Sequence, residues 1–168
     1  LEDAYFDEIH SGSIICKFRK NKCKITERTK ILKKRDKKYT LDSFRKFAKS
    51  IDSIVFELKR LLCTKKLLGK KVWGYGAPVK GNTLLNYMGV TDEDIEKIVE
   101  VNPYKIGTYA PGSYIPVIKE SKDNLPDSYL LLSHNFEKEI LEKNKDIINK
   151  GVSFITPFPV CEITKVPK

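Results

Sequence analysis

Apolar residues recur at steps of three and four between positions 41 and 62: Phe44, Phe47, Ile51, Ile54, Val55, Leu58, Leu61 and Leu62. That spacing puts one apolar stripe on a helix. Thr40 is its cap, and Asp42 sits in the first turn, where a negative charge meets the positive helix end. From Lys71 the pattern shortens. KVWGYGA at 71–77 is a strand running into glycines, 83–87 is helical, and 92–97 is a second, acidic helical piece. Residues 98–101 form a strand. The stretch 109–117 holds Pro, Gly and Ser and is mostly loop, with an extended piece at 114–118. The apolar run 129–132 is a buried parallel strand. Asn135 caps a helix over 136–149, and Gly151 follows it as the C′ residue. Residues 152–156 are the last core strand, ended by Pro157 and Pro159, with a loose tail beyond.

Ahead of the long helix, SGSIICKF at 11–18 reads as a strand after a glycine turn. Residues 19–39 read as an exposed connection with a short strand near 23–26. Strands and helices alternate from Lys71 onward. The expected fold is therefore α/β: a Rossmann-like, open, mostly parallel sheet with flanking helices, preceded by a short N-terminal strand segment and a long helix. Three stretches follow from this: 1–40, the strand and its connection; 41–160, the α/β domain; and 161–168, a tail.

Composition narrows the classes. The chain has 168 residues, 40% of them hydrophobic, which suits one domain with a real core. No apolar run approaches the roughly 20 residues that span a bilayer, and the first residues lack a signal-peptide pattern. Cys16, Cys23, Cys63 and Cys161 form no C-x-x-C pair. They read as reduced cysteines of a cytoplasmic protein, two or three of them buried. The formal charge is +10, and residues 17–38 hold twelve Lys/Arg against two Asp/Glu, so 12 − 2 accounts for all of it. Such a block suits either a solvated surface or a polyanion such as nucleic acid. It carries no recognised nucleic-acid motif, which makes nucleic acid the weaker partner.

The candidate chemistry lies in three loops. Gly74, Tyr75, Gly76, Lys80, Gly81 and Asn82 stand between a strand and a helix, where free N–H groups at a helix start can hold an anion. The spacing G-x-G-x-x-x-x-G is neither a dinucleotide fingerprint nor a P-loop. The stretch is a phosphate-facing loop or a plain glycine turn. Asn102, Lys105, Tyr109 and Gly112 follow the next strand, at the edge where open parallel sheets collect ligands. They form a sugar- or base-binding loop or a proline-stiffened surface loop. His134 follows a third strand, as an acid or base or as a loop residue beside a cap. His10 precedes the first strand and is the other weak catalytic candidate. No residues of this chain suggest a metal site or a bound cofactor. A nicotinamide-dependent reading needs an acidic residue ending the second strand. Glu100 lies 19 residues after Gly81 but reads as inside its strand.

These same segments carry a resemblance. GYGAPVKGNTLLN at 74–86 closely resembles the GYGAPAKGNTLLN signature of the C-terminal domain of S-adenosylmethionine-dependent sugar C-methyltransferases. NPYKIGTYAPGSYIP at 102–116 resembles that family's NPxKxGxYxPGxxIP segment. LLLSHNF at 130–136 is similar to its LLLPWNF, with Ser133 and His134 in place of Pro-Trp. HSGS at 10–13 is similar to its HGGS. The resemblance implies a domain that holds a nucleotide-linked keto-deoxysugar through Gly74, Tyr75, Gly76, Lys80, Asn82, Asn86, Asn102, Lys105, Tyr109, Gly112 and His134. It places His10, Gly12 and Ser13 at a seam with a central domain. It also implies that the zinc-binding and S-adenosylmethionine-binding domains lie outside this chain, in cis or as a partner chain, so that this chain is not catalytic alone. The implied role is in deoxysugar or surface-polysaccharide synthesis.

Overall fold

A computed structural model describes residues 1–8 and 12–164. Its chain divides into two compact units, Leu1–Ile51 and Asp52–Lys168.

In the first unit, β1 (Asp3–Asp7) pairs antiparallel with β2 (Ser13–Lys17). The helix α1 (Glu27–Asp36) follows, so the expected strand near 23–26 does not form and the connection is half helical. The apolar pattern missed this helix because α1 is almost entirely polar, and Thr29 is its buried residue. Local hydrogen bonds and charge hold it instead. Thr26 caps it, Thr29 Oγ1 accepts the Ala4 N–H at 2.7 Å, and Arg28 pairs with Asp3. Arg28 also lies over the Tyr5 ring and Arg35 over Phe6, contacts that attract a cation to the ring face. Lys17 and Arg19 pair with Glu2, so part of the basic block works inside this unit.

The long helix α2 runs Leu41–Leu67. Thr40 and Ser43 cap it reciprocally: the Ser43 N–H donates to Thr40 Oγ1 at 3.3 Å, and the Thr40 N–H donates to Ser43 Oγ at 2.8 Å. Leu58 and Leu62 are buried, and Ile54, Val55 and Leu61 pack beside them. Phe44 and Phe47, expected on the same stripe, stand 61% and 64% exposed.

The second unit continues with β3 (Val72–Tyr75), α3 (Val79–Met88), β4 (Ile98–Glu100), β5 (Val117–Lys119) and β6 (Ser128–Leu131). A 3-10 turn at His134–Phe136, α4 (Glu137–Lys143), α5 (Lys145–Asn149), β7 (Ser153–Thr156) and β8 (Glu162–Ile163) complete it. The sheet order is β5-β4-β3-β6-β7-β8. Every pair is parallel except β7 with β8. The fold is therefore mixed α/β with a mostly parallel six-stranded sheet and flanking helices. Side chains alternate between its two faces, as strand geometry requires. Leu130, Leu132 and Ile155 join α2 and α3 on one side, and Trp73, Tyr129 and Phe154 join α5 on the other.

Four local expectations are corrected. Residues 92–97 make a single turn on Thr91, because the Glu96 N–H already donates to the Val72 carbonyl and draws the chain into the sheet. The helix after β6 starts behind a 3-10 turn, with no side-chain cap from Asn135, and breaks at Asn144. The tail is not loose throughout. Residues 162–163 pair with β7, and the Thr164 N–H donates to the Phe154 carbonyl at 2.8 Å. No cysteine is fully buried: Cys16 and Cys63 are exposed, and Cys23 and Cys161 are half-buried. The first two lie on outward faces of β2 and α2, where free thiols meet solvent.

Candidate functional site

The chain adds β4 and then β5 on one side of β3, and β6 and then β7 on the other. The order reverses between β3 and β6. At such a switch point the loops leaving neighbouring strands part and open a crevice at the carboxyl edge. On the other side of β3, the turn after β3 and the loop after β4 are tied together. Lys105 Nζ donates to the Ala77 carbonyl at 2.7 Å, and Asn86 Nδ2 donates to the Pro111 carbonyl at 2.9 Å.

Between these segments lies a cleft of about 420 Å³. Ala77, Pro78, Val79 and Asn82 line one wall, and Lys105, Thr108, Tyr109 and Pro111 line the other. Leu85, Ile98, Val117 and Leu132, all buried, supply an apolar floor. Tyr109 is 64% exposed and stands at the mouth. The N-cap of α3 is Pro78, which has no side chain to cap the helix. Asn82 Oδ1 is shut off from solvent and accepts no hydrogen bond.

Glu100, at the last position of β4, joins the two walls. Its carboxylate accepts the N–H groups of Ala77 at 2.9 Å, Val101 at 2.8 Å and Asn102 at 3.1 Å, with Lys105 Nζ 3.9 Å away. Burial alone would raise its pKa. The three N–H groups and the lysine outweigh that and hold it below its ordinary value. The sequence reading set Glu100 inside its strand, and the structure places it at the strand end. That is where a dinucleotide ribose finds its acidic partner. Both Glu100 oxygens are already committed to the protein's own backbone, so the arrangement does not favour a dinucleotide.

The other candidates separate. Gly74 and Gly81 sit where a Cβ would stand 2.9 Å and 2.6 Å from Leu132 side-chain atoms, so they serve close packing of β3 and α3 on β6. Gly76 lies against Ser133 in the same way. Gly112, at φ +85°, packs on the Asn86 amide. Tyr75 points to the opposite face of the sheet. Its hydroxyl donates to Glu120 and accepts from Asn144 Nδ2 at 3.0 Å, while Lys143 holds the other Glu120 oxygen at 2.6 Å. Burial first, then the Glu120 hydrogen bond, push the Tyr75 pKa well up. Asn102 accepts the Tyr104 N–H at 3.0 Å and shapes its own loop.

Lys80 and His134 line a small adjoining cavity with Pro78 and Leu132, and the His134 ring packs on Phe158 at 5.4 Å. Burial first, then the Lys80 charge, lower the His134 pKa, so its imidazole is neutral at pH 7. Gly12 and Ser13 shape the β1–β2 hairpin, Gly12 at φ +111° and Ser13 opposite Asp7. His10 lies outside the described residues. Among the described residues no three His, Cys, Asp or Glu side chains come together as metal ligands, so those present do not fit a zinc site. No helix among them is long and apolar enough to cross a membrane.

Fold and site together define an open α/β domain with a ligand-sized cleft at the carboxyl edge of its sheet. The chain belongs to the C-methyltransferase C-terminal domain family, whose model matches residues 8–159. It is 34% identical over 118 residues to the C-methyltransferase NovU of Streptomyces niveus, an alignment taking in 69% of this chain and 28% of that protein. The chain thus matches less than a third of that curated relative's length. The resemblance drawn from the four sequence segments is borne out at the level of the family.

Proposed function

We propose that this chain is the substrate-binding part of a sugar C-methyltransferase and holds a nucleotide-linked keto-deoxysugar in the 420 Å³ cleft. The observation that carries this reading is the meeting of the 76–82 turn and the 105–111 loop around one cleft, in a chain of this family. The strand order supports a Rossmann-like description, with the ligand beside the central strand β3. The uncapped start of α3 and the Lys105 ammonium suit a diphosphate, because unpaired N–H groups and a cation both stabilise negative charge. Lys80 adds a second cation beside that helix start. Tyr109, Pro78 and Pro111 offer flat apolar walls to a ring.

C-methylation of a keto-sugar needs a base beside the carbonyl carbon and an aligned methyl donor. In this reading S-adenosylmethionine, bound by another domain in cis or on a partner chain, supplies the methyl group. The residues described here orient the sugar and exclude water from its apolar face. The exposed β1–β2 hairpin, with Gly12 and Ser13 at its turn, is the seam toward that domain. The setting is cytoplasmic synthesis of deoxysugars or surface polysaccharide.

Calorimetric titration of the 168-residue chain with a thymidine diphosphate-linked sugar, S-adenosylmethionine and NAD tests the proposal. The expected result is weak binding of the nucleotide sugar and none of the other two. Tight binding of S-adenosylmethionine, or silence with the nucleotide sugar, overturns it.

A further inference from the structure

The floor of the cleft is apolar, and one polar atom of its wall residues has no partner. Asn82 lies one turn into α3, beside Leu85 on the helix surface. Its own N–H donates to the Pro78 carbonyl at 3.0 Å, and its carbonyl accepts Asn86 Nδ2 at 2.8 Å. The backbone is therefore satisfied, and the side chain is not. Asn82 Oδ1 is shielded from solvent with no donor to accept. Leaving a buried acceptor unpaired works against folding, and leucine at this helical site would carry no such penalty.

An amide retained there fits a residue that serves a ligand. Asn82 lines the cleft. We propose that Asn82 and the apolar floor beside it determine sugar specificity together. Asn82 Oδ1 accepts one hydroxyl of the bound sugar ring, while Leu85, Ile98, Val117 and Leu132 face the deoxygenated, methyl-bearing side of that ring. This deepens the function proposed above and rests on it.

The selectivity follows from the donor and acceptor count. A 6-deoxyhexose can leave its methyl group against the leucines and give one hydroxyl to Asn82. A fully hydroxylated hexose sets a further hydroxyl against the same apolar floor, where it finds no partner, and binds more weakly. The other polar side chains lining the cleft, Lys105, Thr108 and Tyr109, come from the loop after β4.

The test uses the full chain, Asn82→Leu and Asn82→Ala, with three probes: thymidine diphosphate, thymidine diphosphate-rhamnose and thymidine diphosphate-glucose. Wild type is expected to bind the rhamnose compound about tenfold more tightly than the glucose compound. Asn82→Leu is expected to melt higher than wild type without ligand, to bind both nucleotide sugars about tenfold more weakly, and to leave thymidine diphosphate binding unchanged. Asn82→Ala keeps the affinity result readable if the leucine variant does not fold. Equal binding of the two sugars by wild type, or either variant binding the rhamnose compound as tightly as wild type does, overturns the inference and leaves the proposed function standing. A loss of thymidine diphosphate affinity itself shows that Asn82 reads the nucleotide and overturns it as well. Silence with all three probes removes the proposed function and this inference with it.

Discussion

Lys105 reaches from the loop after β4 to the turn after β3, where its ammonium donates to the Ala77 carbonyl at 2.7 Å. The same ammonium lies 3.9 Å from Glu100, whose carboxylate accepts the Ala77 N–H. One peptide neighbourhood is thus gripped by a cation at its carbonyl and an anion at its N–H, which ties the two walls of the cleft at that point. Lys105→Met removes half of that grip. The lysine side chain is 41% exposed, so the expected stability loss is small, about 1 kcal/mol. Nucleotide-sugar affinity is expected to fall about tenfold, the equivalent of one charge-assisted hydrogen bond of about 1.4 kcal/mol. Calorimetry and urea unfolding separate the two effects. Unchanged affinity in a folded variant sinks the role given to this loop.

Glu100 makes the clamp sensitive to acid. Its folded pKa lies below the ordinary 4.5, so the folded state binds the proton less readily than the unfolded chain. The stabilisation is complete above the unfolded value and is lost as pH falls through the lower folded value. Glu100→Gln sets an amide NH2 against backbone N–H donors and is expected to cost about 1–3 kcal/mol at pH 7. The gap between wild type and variant should then shrink as pH drops below about 4.5. Urea midpoints measured from pH 7 to pH 3 check this. A gap that stays constant over that range rules the carboxylate out as its source.

The elements that could be read from the sequence are those where pattern and packing agree. The α2 stripe shows in Leu58 and Leu62, and the central strands show in VWGY at 72–75 and the apolar run after Ser128, because these side chains both follow a period and enter the core. The α1 helix carries no such signal, since cation–ring contacts and the Thr26 cap hold it rather than an apolar face. Tyr75 and Lys105 look equally ligand-facing in sequence. The pleat sends Tyr75 to the far face, toward Glu120 and Asn144, partners 45 and 69 residues away. Glu100 was visible as an acid near the right position. Its actual role depends on a side-chain turn back to Ala77, which no spacing encodes.

Gly81 tests how tightly the cleft floor is built. A Cβ at this helical position would stand 2.6 Å from the Leu132 Cβ, a rigid atom next to the backbone rather than the far end of a flexible side chain. Alanine normally strengthens a helix relative to glycine by up to about 1 kcal/mol. Here the clash outweighs that gain, and Gly81→Ala is expected to destabilise by about 1–3 kcal/mol as α3 is pushed off β6. Thermal melts of the variant decide it. A higher melting temperature contradicts the packing of α3 on β6.

His134 replaces the Trp of the resembling segment and sits between Phe158 and Lys80. Burial first, and the Lys80 charge second, oppose its protonation, so its folded pKa lies below the ordinary 6.5. A histidine held neutral in this way contributes stability above pH 6.5 that drains away as pH falls through the folded value. Proton NMR of the imidazole signals gives a direct reading, with His134→Gln assigning one of the chain's 2 histidines. The expected midpoint lies below 6.5, and Lys80→Gln should move it upward by removing the neighbouring charge. A midpoint above 6.5, or one indifferent to Lys80, would separate the two residues and leave no shared cavity beside the cleft.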